Sequence, residues 1–225
     1  MNFKIYIYYF VIKLFIIGAS SKLARKFILG NNLKNVSILG TYHTNDIRKF
    51  LKVSSTKNVI IEKFLKIDLK KQPDLNKISN TLLKYKPDII INFSAIQVER
   101  RKFEKISFNT LKKVFEVNFF SQIKLYYKLC KKLKNLKKKV FILNINSKST
   151  INGGFKIYEY STSKAATANL FKSLKREYKN IKFINYTIPS VEEVKKKNNI
   201  TYDFFITNLS NTIKNIKKFD SEIII

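Results

Sequence analysis

The chain has 225 residues, of which 45% are hydrophobic and 27% charged, so its composition excludes an intrinsically disordered, collagen-like or linker-rich protein. A single Cys130 and a single His43 exclude an internal disulfide, a four-cysteine zinc site, an iron–sulfur cluster held within one chain and an HExxH metalloprotease, and we expect no metal site. The 45 Lys and Arg residues outnumber the 15 Asp and Glu residues, which gives a net charge of +30.

The positive charge has two interpretations. A nucleic-acid or anionic-membrane binder would need it. Codon bias would also produce it, because Lys, Asn, Ile, Phe and Tyr, the residues of AT-rich codons, are all frequent. The lysines are scattered singly or in short runs such as 137–139 and 195–197, with no basic arm. We therefore favour codon bias and expect no specific nucleic-acid partner, although a positive surface would still favour anionic substrates.

The N-terminal residues 1–17 are mostly apolar, but Lys4 and Lys13 interrupt them and leave no stretch long enough to span a membrane. We interpret 11–17 as a buried strand and 1–10 as a short extension. The alternative is peripheral membrane contact by four aromatic residues, Tyr6, Tyr8, Tyr9 and Phe10. We expect a cytoplasmic protein without a transmembrane segment.

Strand and helix signals then alternate to the end of the chain. Further strands, apolar at most positions, are predicted at 36–39, 59–61 with 64–68, 89–93, 140–145, 183–188 and 222–225. Helices are predicted at 21–29, 46–51, 74–85, 109–133, 159–178 and 202–216. Continuously apolar strands that alternate with helices indicate a parallel sheet covered on both faces. The order predicts one α/β domain over 1–225, a doubly wound Rossmann-type sheet of about seven strands.

The turn after the first predicted strand is built from small residues, Gly18-Ala19-Ser20-Ser21, and leads into a helix at Lys22-Leu23-Ala24. Such a turn lets the backbone approach a pyrophosphate, and the helix N-terminus then meets the negative charge. An ordinary strand-to-helix turn is the alternative, because small residues begin many of them.

A second pattern lies at the start of the helix 159–178. Tyr160 and Lys164 are four residues apart and share a helix face, where an ammonium group would lower the tyrosine pKa and make it an acid–base group. In a chain so rich in lysine, an exposed helix face would explain this pair equally well. Ser147, however, lies 13 residues before Tyr160, at the end of an apolar strand. Asn118 stands among apolar neighbours in a predicted helix, where its amide needs a buried partner.

Together these residues resemble the short-chain dehydrogenase/reductase family, of which the chain would be a divergent member. The turn at 18–24 is similar to the family's TGxxxGxG turn, and 92–95 (Asn-Phe-Ser-Ala) stands at its NNAG segment. Residues 144–147 (Asn-Ile-Asn-Ser) resemble its NISS segment, 160–164 its YxxxK motif, and 188–190 (Ile-Pro-Ser) the PG that follows the sixth strand.

The resemblance implies hydride transfer between a nicotinamide and a carbonyl or alcohol carbon. Tyr160 would exchange a proton with the substrate oxygen that Ser147 orients. Lys164 would lower the Tyr160 pKa and hold the nicotinamide ribose, and Asn118 would support a water chain. The implied cofactor-binding residues are Gly18, Ser20, Ser21, Lys22, Leu23, Asp68 (the adenine contact), Asn92, Ser94, Tyr160, Lys164 and Pro189. The partners would be a small carbonyl or alcohol substrate and other copies of the chain in a homo-oligomer.

Cofactor and substrate choice follow from the ends of the predicted strands. The second strand is followed by residues 40–43 (Gly-Thr-Tyr-His), with no carboxylate to bind the ribose hydroxyls of NAD, while Lys22 and Arg25 are close in sequence to the first turn. We therefore expect NADP, with NAD as the alternative. The segment between Pro189 and Tyr202, where the family carries a substrate lid, is short and charged, and Gly153-Gly154-Phe155 would border the cleft. These features suggest a polar or anionic substrate.

A non-catalytic nucleotide-binding or interaction protein on the same fold is the alternative function, with anionic partners attracted by the charge. Lys22, where the family has glycine, and the altered 92–95 segment favour it. Ser147, Tyr160 and Lys164 argue against it, because a protein that only binds has no need of all three.

Overall fold

The computed structural model describes residues 11–44, 59–195, 199–219 and 222–225. The predicted extension at 1–10 and the predicted helix at 46–51 lie outside these residues.

Nine strands are present in the described residues. They are β1 (Ile12–Ile17), β2 (Val36–Tyr42), β3 (Val59–Lys66), β4 (Ile89–Asn92), β5 (Val140–Ser147), β6 (Ile181–Ile188), β7 (Ser190–Glu192), β8 (Asn199–Thr201) and β9 (Glu222–Ile224). Seven of them form one parallel sheet in the order β3-β2-β1-β4-β5-β6-β9, and β7 pairs with β8 in a separate two-stranded ribbon. The predicted doubly wound, Rossmann-type sheet is confirmed.

Helices cover both faces of the sheet. They are α1 (Lys22–Gly30), α2 (Gln72–Tyr85), α3 (residues 108–133), α4 (Ser149–Asn152), α5 (Tyr158–Glu177) and α6 (Tyr202–Lys214). Because successive strand residues point to opposite faces, Leu14 and Ile16 of β1 pack with α1 and α6, whereas Phe15 and Ile17 pack with α2, α3 and α5. No helix in these residues is long and apolar enough to cross a membrane.

Two strands continue beyond their predicted ends. β2 runs on to Tyr42, since residues 40–42 pair with β3 and Gly40 leaves room for the ring of Phe64. β5 runs on to Ser147, which pairs with Ile188 of β6. Because residues at these ends are not continuously apolar, the prediction from apolar runs ended both strands too early. The extensions matter because the parallel strands all end at one edge of the sheet, where ligands bind in folds of this type.

Candidate functional site

The turn between β1 and α1 is held tightly against its neighbours. Gly18 has a φ of +74°, and a β-carbon on it would lie 2.9 Å from the backbone nitrogen and Cα of Ser94. The amides of Gly18 and Ala19 donate to Thr41, at its hydroxyl (3.3 Å) and its carbonyl oxygen (2.7 Å). Glycine is therefore required at residue 18 by both conformation and space.

The N-terminus of α1 suits an anionic group. Ser21 caps the helix, and its hydroxyl accepts from the amide of Ala24 at 3.2 Å. The amides of Lys22 and Leu23 belong to the first turn, where no intrahelical acceptor exists, and they follow Ser20 at the carboxyl edge of the sheet. These donors and the close packing at Gly18 fit the phosphates of a dinucleotide.

The side chain of Lys22 binds within the protein. Its Nζ lies 3.3 Å from a carboxylate oxygen of Glu193 and 5.1 Å from the ring centre of Tyr202. Lys26, one turn later, makes the same two contacts at 3.7 and 5.4 Å. Hydrogen bonding to Tyr202 and then to Glu193 raises the pKa of Lys22. The two lysines, which we call the basic pair, thus tie α1 to the segment between β6 and α6.

Asn92 shapes the turn after β4. Its buried amide donates to Gln122 at 2.8 Å and to the Tyr126 hydroxyl at 2.6 Å, and its oxygen accepts from the Ser94 amide at 3.0 Å. The side chain predicted to bind cofactor therefore bonds to protein groups and fixes Ser94 beside Gly18.

Asp68 lies after β3 and next to the end of β2. One of its carboxylate oxygens accepts from the amide of Lys70 at 3.0 Å, and the other lies 3.7 Å from Nε2 of His43. Residues 40–43 contain no carboxylate, but the fold places that of Asp68 beside the end of β2. The sequence of the second strand alone does not show this proximity.

The helix α3 changes geometry at Asn118. It is α-helical at Phe108–Phe115 and Ser121–Leu133 but forms a wider π turn at Glu116–Phe120. The buried Asn118 amide accepts from the Ile96 amide at 2.8 Å and donates to the Ile96 carbonyl at 2.9 Å and the Ser163 hydroxyl at 3.1 Å. The predicted buried partners exist, and the predicted long helix is present but contains a π turn that the sequence pattern did not indicate.

Ser147 ends β5 with its hydroxyl oriented by a neighbour. The amide and the hydroxyl of Ser149 both donate to Ser147 Oγ, at 3.2 and 2.9 Å. Because that oxygen already accepts these two hydrogen bonds, its own hydrogen is left to point toward a ligand oxygen.

Burial shifts the pKa values of both Tyr160 and Lys164. The ammonium of Lys164 is buried and donates to the carbonyl oxygen of Ile145 in β5 at 2.6 Å, and burial lowers its pKa to about 8. Burial raises the pKa of Tyr160. The predicted lowering of the Tyr160 pKa by Lys164 is therefore wrong, since loss of hydration outweighs any attraction. Tyr160 is a neutral phenol near pH 7.

Hydrogen bonds join α3 to α5, which carries Tyr160 and Lys164, and join α5 to β5, which ends at Ser147. Asn118 bonds to Ser163, whose hydroxyl donates to the main-chain carbonyl of Tyr160 at 2.9 Å. Lys164 bonds to Ile145, which precedes Ser147 by two residues on β5. The Tyr160 hydroxyl makes no hydrogen bond with any residue that the structure describes.

A cavity of about 650 Å³ opens beside Ser147. Pro189 also lines it, together with residues that the sequence placed beside the substrate, Gly153, Gly154 and Phe155. Tyr160 is not among its lining residues. A smaller cavity of about 300 Å³, between α5 and the β6 edge, contains none of the predicted site residues.

Two polar residues of α5 were not singled out from the sequence. The hydroxyl of Thr167 donates to the main-chain carbonyl of Asn118 at 2.9 Å. Glu159, directly before Tyr160, is 0% exposed, and neither carboxylate oxygen has a hydrogen-bond partner among the described residues. The sequence did contain a signal for them. Glu159, Ser163 and Thr167 follow one another at intervals of four residues, which places all three on one helix face.

Comparison with known proteins gives a family and a fold. A sequence model described as "short chain dehydrogenase" matches residues 15–199. No curated protein matches the chain. A short-chain type dehydrogenase/reductase from Mycobacterium ulcerans has a similar structure, with a TM-score of 0.79 at 8% identity over 95% of this chain and 88% of that one. A short-chain dehydrogenase/reductase from Serratia marcescens BCRC 10948 has a TM-score of 0.75 at 14% identity, over 95% of this chain and 96% of that one. A short chain dehydrogenase family protein from Francisella tularensis has a TM-score of 0.74 at 18% identity, over 96% of this chain and 97% of that one.

Proposed function

Because the chain belongs to the short-chain dehydrogenase family, we propose that it is an NAD(P)-dependent oxidoreductase that interconverts a carbonyl compound and an alcohol. One observation carries the proposal. Ser147 lines a cavity with its hydroxyl hydrogen left to reach a ligand oxygen, and Lys164 of α5, the helix that also carries Tyr160, bonds to the same strand at Ile145.

Each proposed catalytic residue has a distinct task. Ser147 donates a hydrogen bond that orients the substrate carbonyl oxygen, and Tyr160, as a neutral phenol, gives that oxygen a proton. The Lys164 ammonium then stabilises the phenolate that remains. Asn118 positions Tyr160 and Lys164 by fixing the loop at Ile96 and by bonding to Ser163, which lies between them on α5. The nicotinamide, when bound, supplies the hydride for reduction.

The cofactor would lie along the carboxyl edge of the sheet. We assign its phosphates to the turn at Gly18, Ser20 and Ser21 and to the first amides of α1, those of Lys22 and Leu23. We assign the remaining contacts to Asp68, Ser94, Pro189, Tyr160 and Lys164, with Asn92 acting through the Ser94 backbone.

NADP is the proposed cofactor, and NAD is the alternative. The basic pair lies in the first two turns of α1, and the carboxylate beside the end of β2, that of Asp68, already faces His43 and the Lys70 amide. A carboxylate bound in this way is less able to take up the ribose hydroxyls.

A homo-oligomer is also proposed. Phe120 and Tyr127 are seven residues apart on α3, share a helix face and are 48% and 67% exposed. Light scattering should give a mass of at least two chains. A cytoplasmic location stays a prediction from the N-terminal sequence.

Fluorescence titration with NADPH and NADH, followed by assays of NADPH oxidation with a set of aldehydes and ketones, tests the proposal. We expect saturable binding, several-fold tighter for NADPH, and turnover of at least one carbonyl compound. Equal affinities would contradict the NADP assignment. Cofactor binding without any turnover would favour the non-catalytic alternative, which the contacts of Lys22 with Glu193 and Tyr202 support.

A further inference from the structure

The size and lining of the cavity beside Ser147 indicate which class of substrate it can bind. Its volume of about 650 Å³ suits a small organic molecule. Arg100, in the loop after β4, and Lys148, directly after β5, both line it, and no acidic side chain is among its lining residues in the described part of the chain.

No acidic side chain among the described residues neutralises either cation. Arg100 and Lys148 make no ion pair with any residue that the structure describes. The basic pair at α1 differs, because both of its ammonium groups share Glu193. Two unpaired cations around one concave space raise the local concentration of anions and favour a bound negative group.

Part of the remaining lining is apolar. Phe155 and Phe204 stand at the cavity with exposed rings, and Ile157 and Ile200 add aliphatic surface. A ligand that fits this lining has an apolar body as well as a charged group, since burial of apolar area supplies affinity while the cations fix orientation.

We propose that the cavity binds a carbonyl compound that bears an anionic group, a carboxylate or a phosphate, and that Arg100 and Lys148 hold this group while the carbonyl oxygen lies at Ser147. This inference rests on the proposed oxidoreductase function. It adds a substrate class and two specificity-determining residues.

Three aldehydes of similar shape test the proposal: 4-carboxybenzaldehyde, 4-formylphenyl phosphate and the neutral methyl 4-formylbenzoate. In NADPH-oxidation assays of the wild type, we expect kcat/KM for at least one of the two anions to exceed that for the ester by about tenfold or more, which is the effect of one charge-assisted contact. Comparing the carboxylate with the phosphate shows which anion the site prefers.

Variants then locate the effect. Arg100→Gln and Lys148→Gln should each raise KM for the preferred anion about three- to tenfold, with little change in kcat. The KM and kcat of both variants for the ester should equal those of the wild type. Arg101→Gln and Lys105→Gln make the same charge changes at positions that do not line the cavity, and they should leave every constant unchanged. An ester that reacts as well as both anions, or equal effects of cavity and control variants, would overturn the proposal.

Binding separates this proposal from the proposed function. Calorimetric titration with 4-carboxybenzyl alcohol and its neutral methyl ester requires no turnover. Arg100-dependent binding of the acid without any turnover of the aldehydes would support the anion site and contradict the oxidoreductase. Turnover of neutral carbonyl compounds, with no preference for the acid in binding, would support the oxidoreductase and contradict the anion site.

Discussion

Tyr160 and Lys164 illustrate how far a residue's chemistry depends on its surroundings. Their spacing predicted that they share a helix face, but it predicted the wrong direction for the Tyr160 pKa, because the degree of burial cannot be read from five residues. Burial instead keeps Tyr160 protonated and lowers the pKa of Lys164 to about 8. A neutral phenol can protonate a carbonyl oxygen, and an ammonium one helical turn further along α5 can stabilise the phenolate that results.

The pH profile of kcat should therefore follow Lys164. Below a pH of about 8 the ammonium is charged and can stabilise a phenolate, and above it the charge is lost. We expect kcat for carbonyl reduction to be constant near neutral pH and to fall as pH rises through about 8. Lys164→Met should be much slower, bind NADPH more weakly and lose this ionisation. A wild-type kcat that rises over the same range would contradict the assignment.

The position of Glu159 is unfavourable for stability. A buried carboxylate without hydrogen bonds is unfavourable, and replacing it by an apolar side chain of similar size removes that penalty. We expect Glu159→Met to raise the free energy of unfolding by about 1–3 kcal/mol in urea titrations. Glu104→Met, at an exposed position, should stay within about 0.5 kcal/mol of the wild type. A Glu159→Met protein less stable than the wild type would mean that the carboxylate has a favourable partner.

At the scale of elements, strand and helix positions were predictable where the local pattern determines them. Strands such as β4 are apolar at almost every position, and Ser21 and Pro73 mark the starts of α1 and α2. The π turn in α3 and the β7–β8 ribbon were not predicted, since they depend on contacts between distant residues. The same holds for Glu193 and Lys22, which only the fold brings together.

The link between α1 and the segment before α6 should affect cofactor affinity. Glu193 holds both lysines of the basic pair, so Glu193→Gln frees them to meet a phosphate. The contacts are exposed, so the gain is modest, and we expect NADPH to bind about two- to fivefold more tightly. Glu104→Gln removes the same charge from an exposed position and should not change the affinity. Weaker NADPH binding by Glu193→Gln would show that the ion pairs support the site instead.

For the whole molecule, the parallel sheet follows from the alternation of apolar strands with helices. The sheet brings Gly18, Asn92, Ser147 and Ile188 to one edge. The net charge of +30 is spread over the whole chain and is not concentrated in one basic arm. Codon bias accounts for such a distribution without a nucleic-acid site.

Binding to duplex DNA tests that interpretation. We expect only weak binding at physiological salt, with a steep dependence on salt concentration and no difference between unrelated sequences. Fluorescence anisotropy with two labelled duplexes over a range of salt concentrations measures all three properties. Nanomolar binding to one sequence at physiological salt would assign the charge a specific function.

The central claim is that the Tyr160 hydroxyl transfers the proton. The most direct test compares wild type and Tyr160→Phe in NADPH oxidation with the best carbonyl substrate, alongside NADPH titration of both proteins. We predict that Tyr160→Phe loses turnover by about 100-fold or more while its affinity for NADPH stays within about twofold, because the hydroxyl contributes chemistry and the ring little binding. A Tyr160→Phe protein that keeps substantial activity would contradict the mechanism, whatever cofactor it binds.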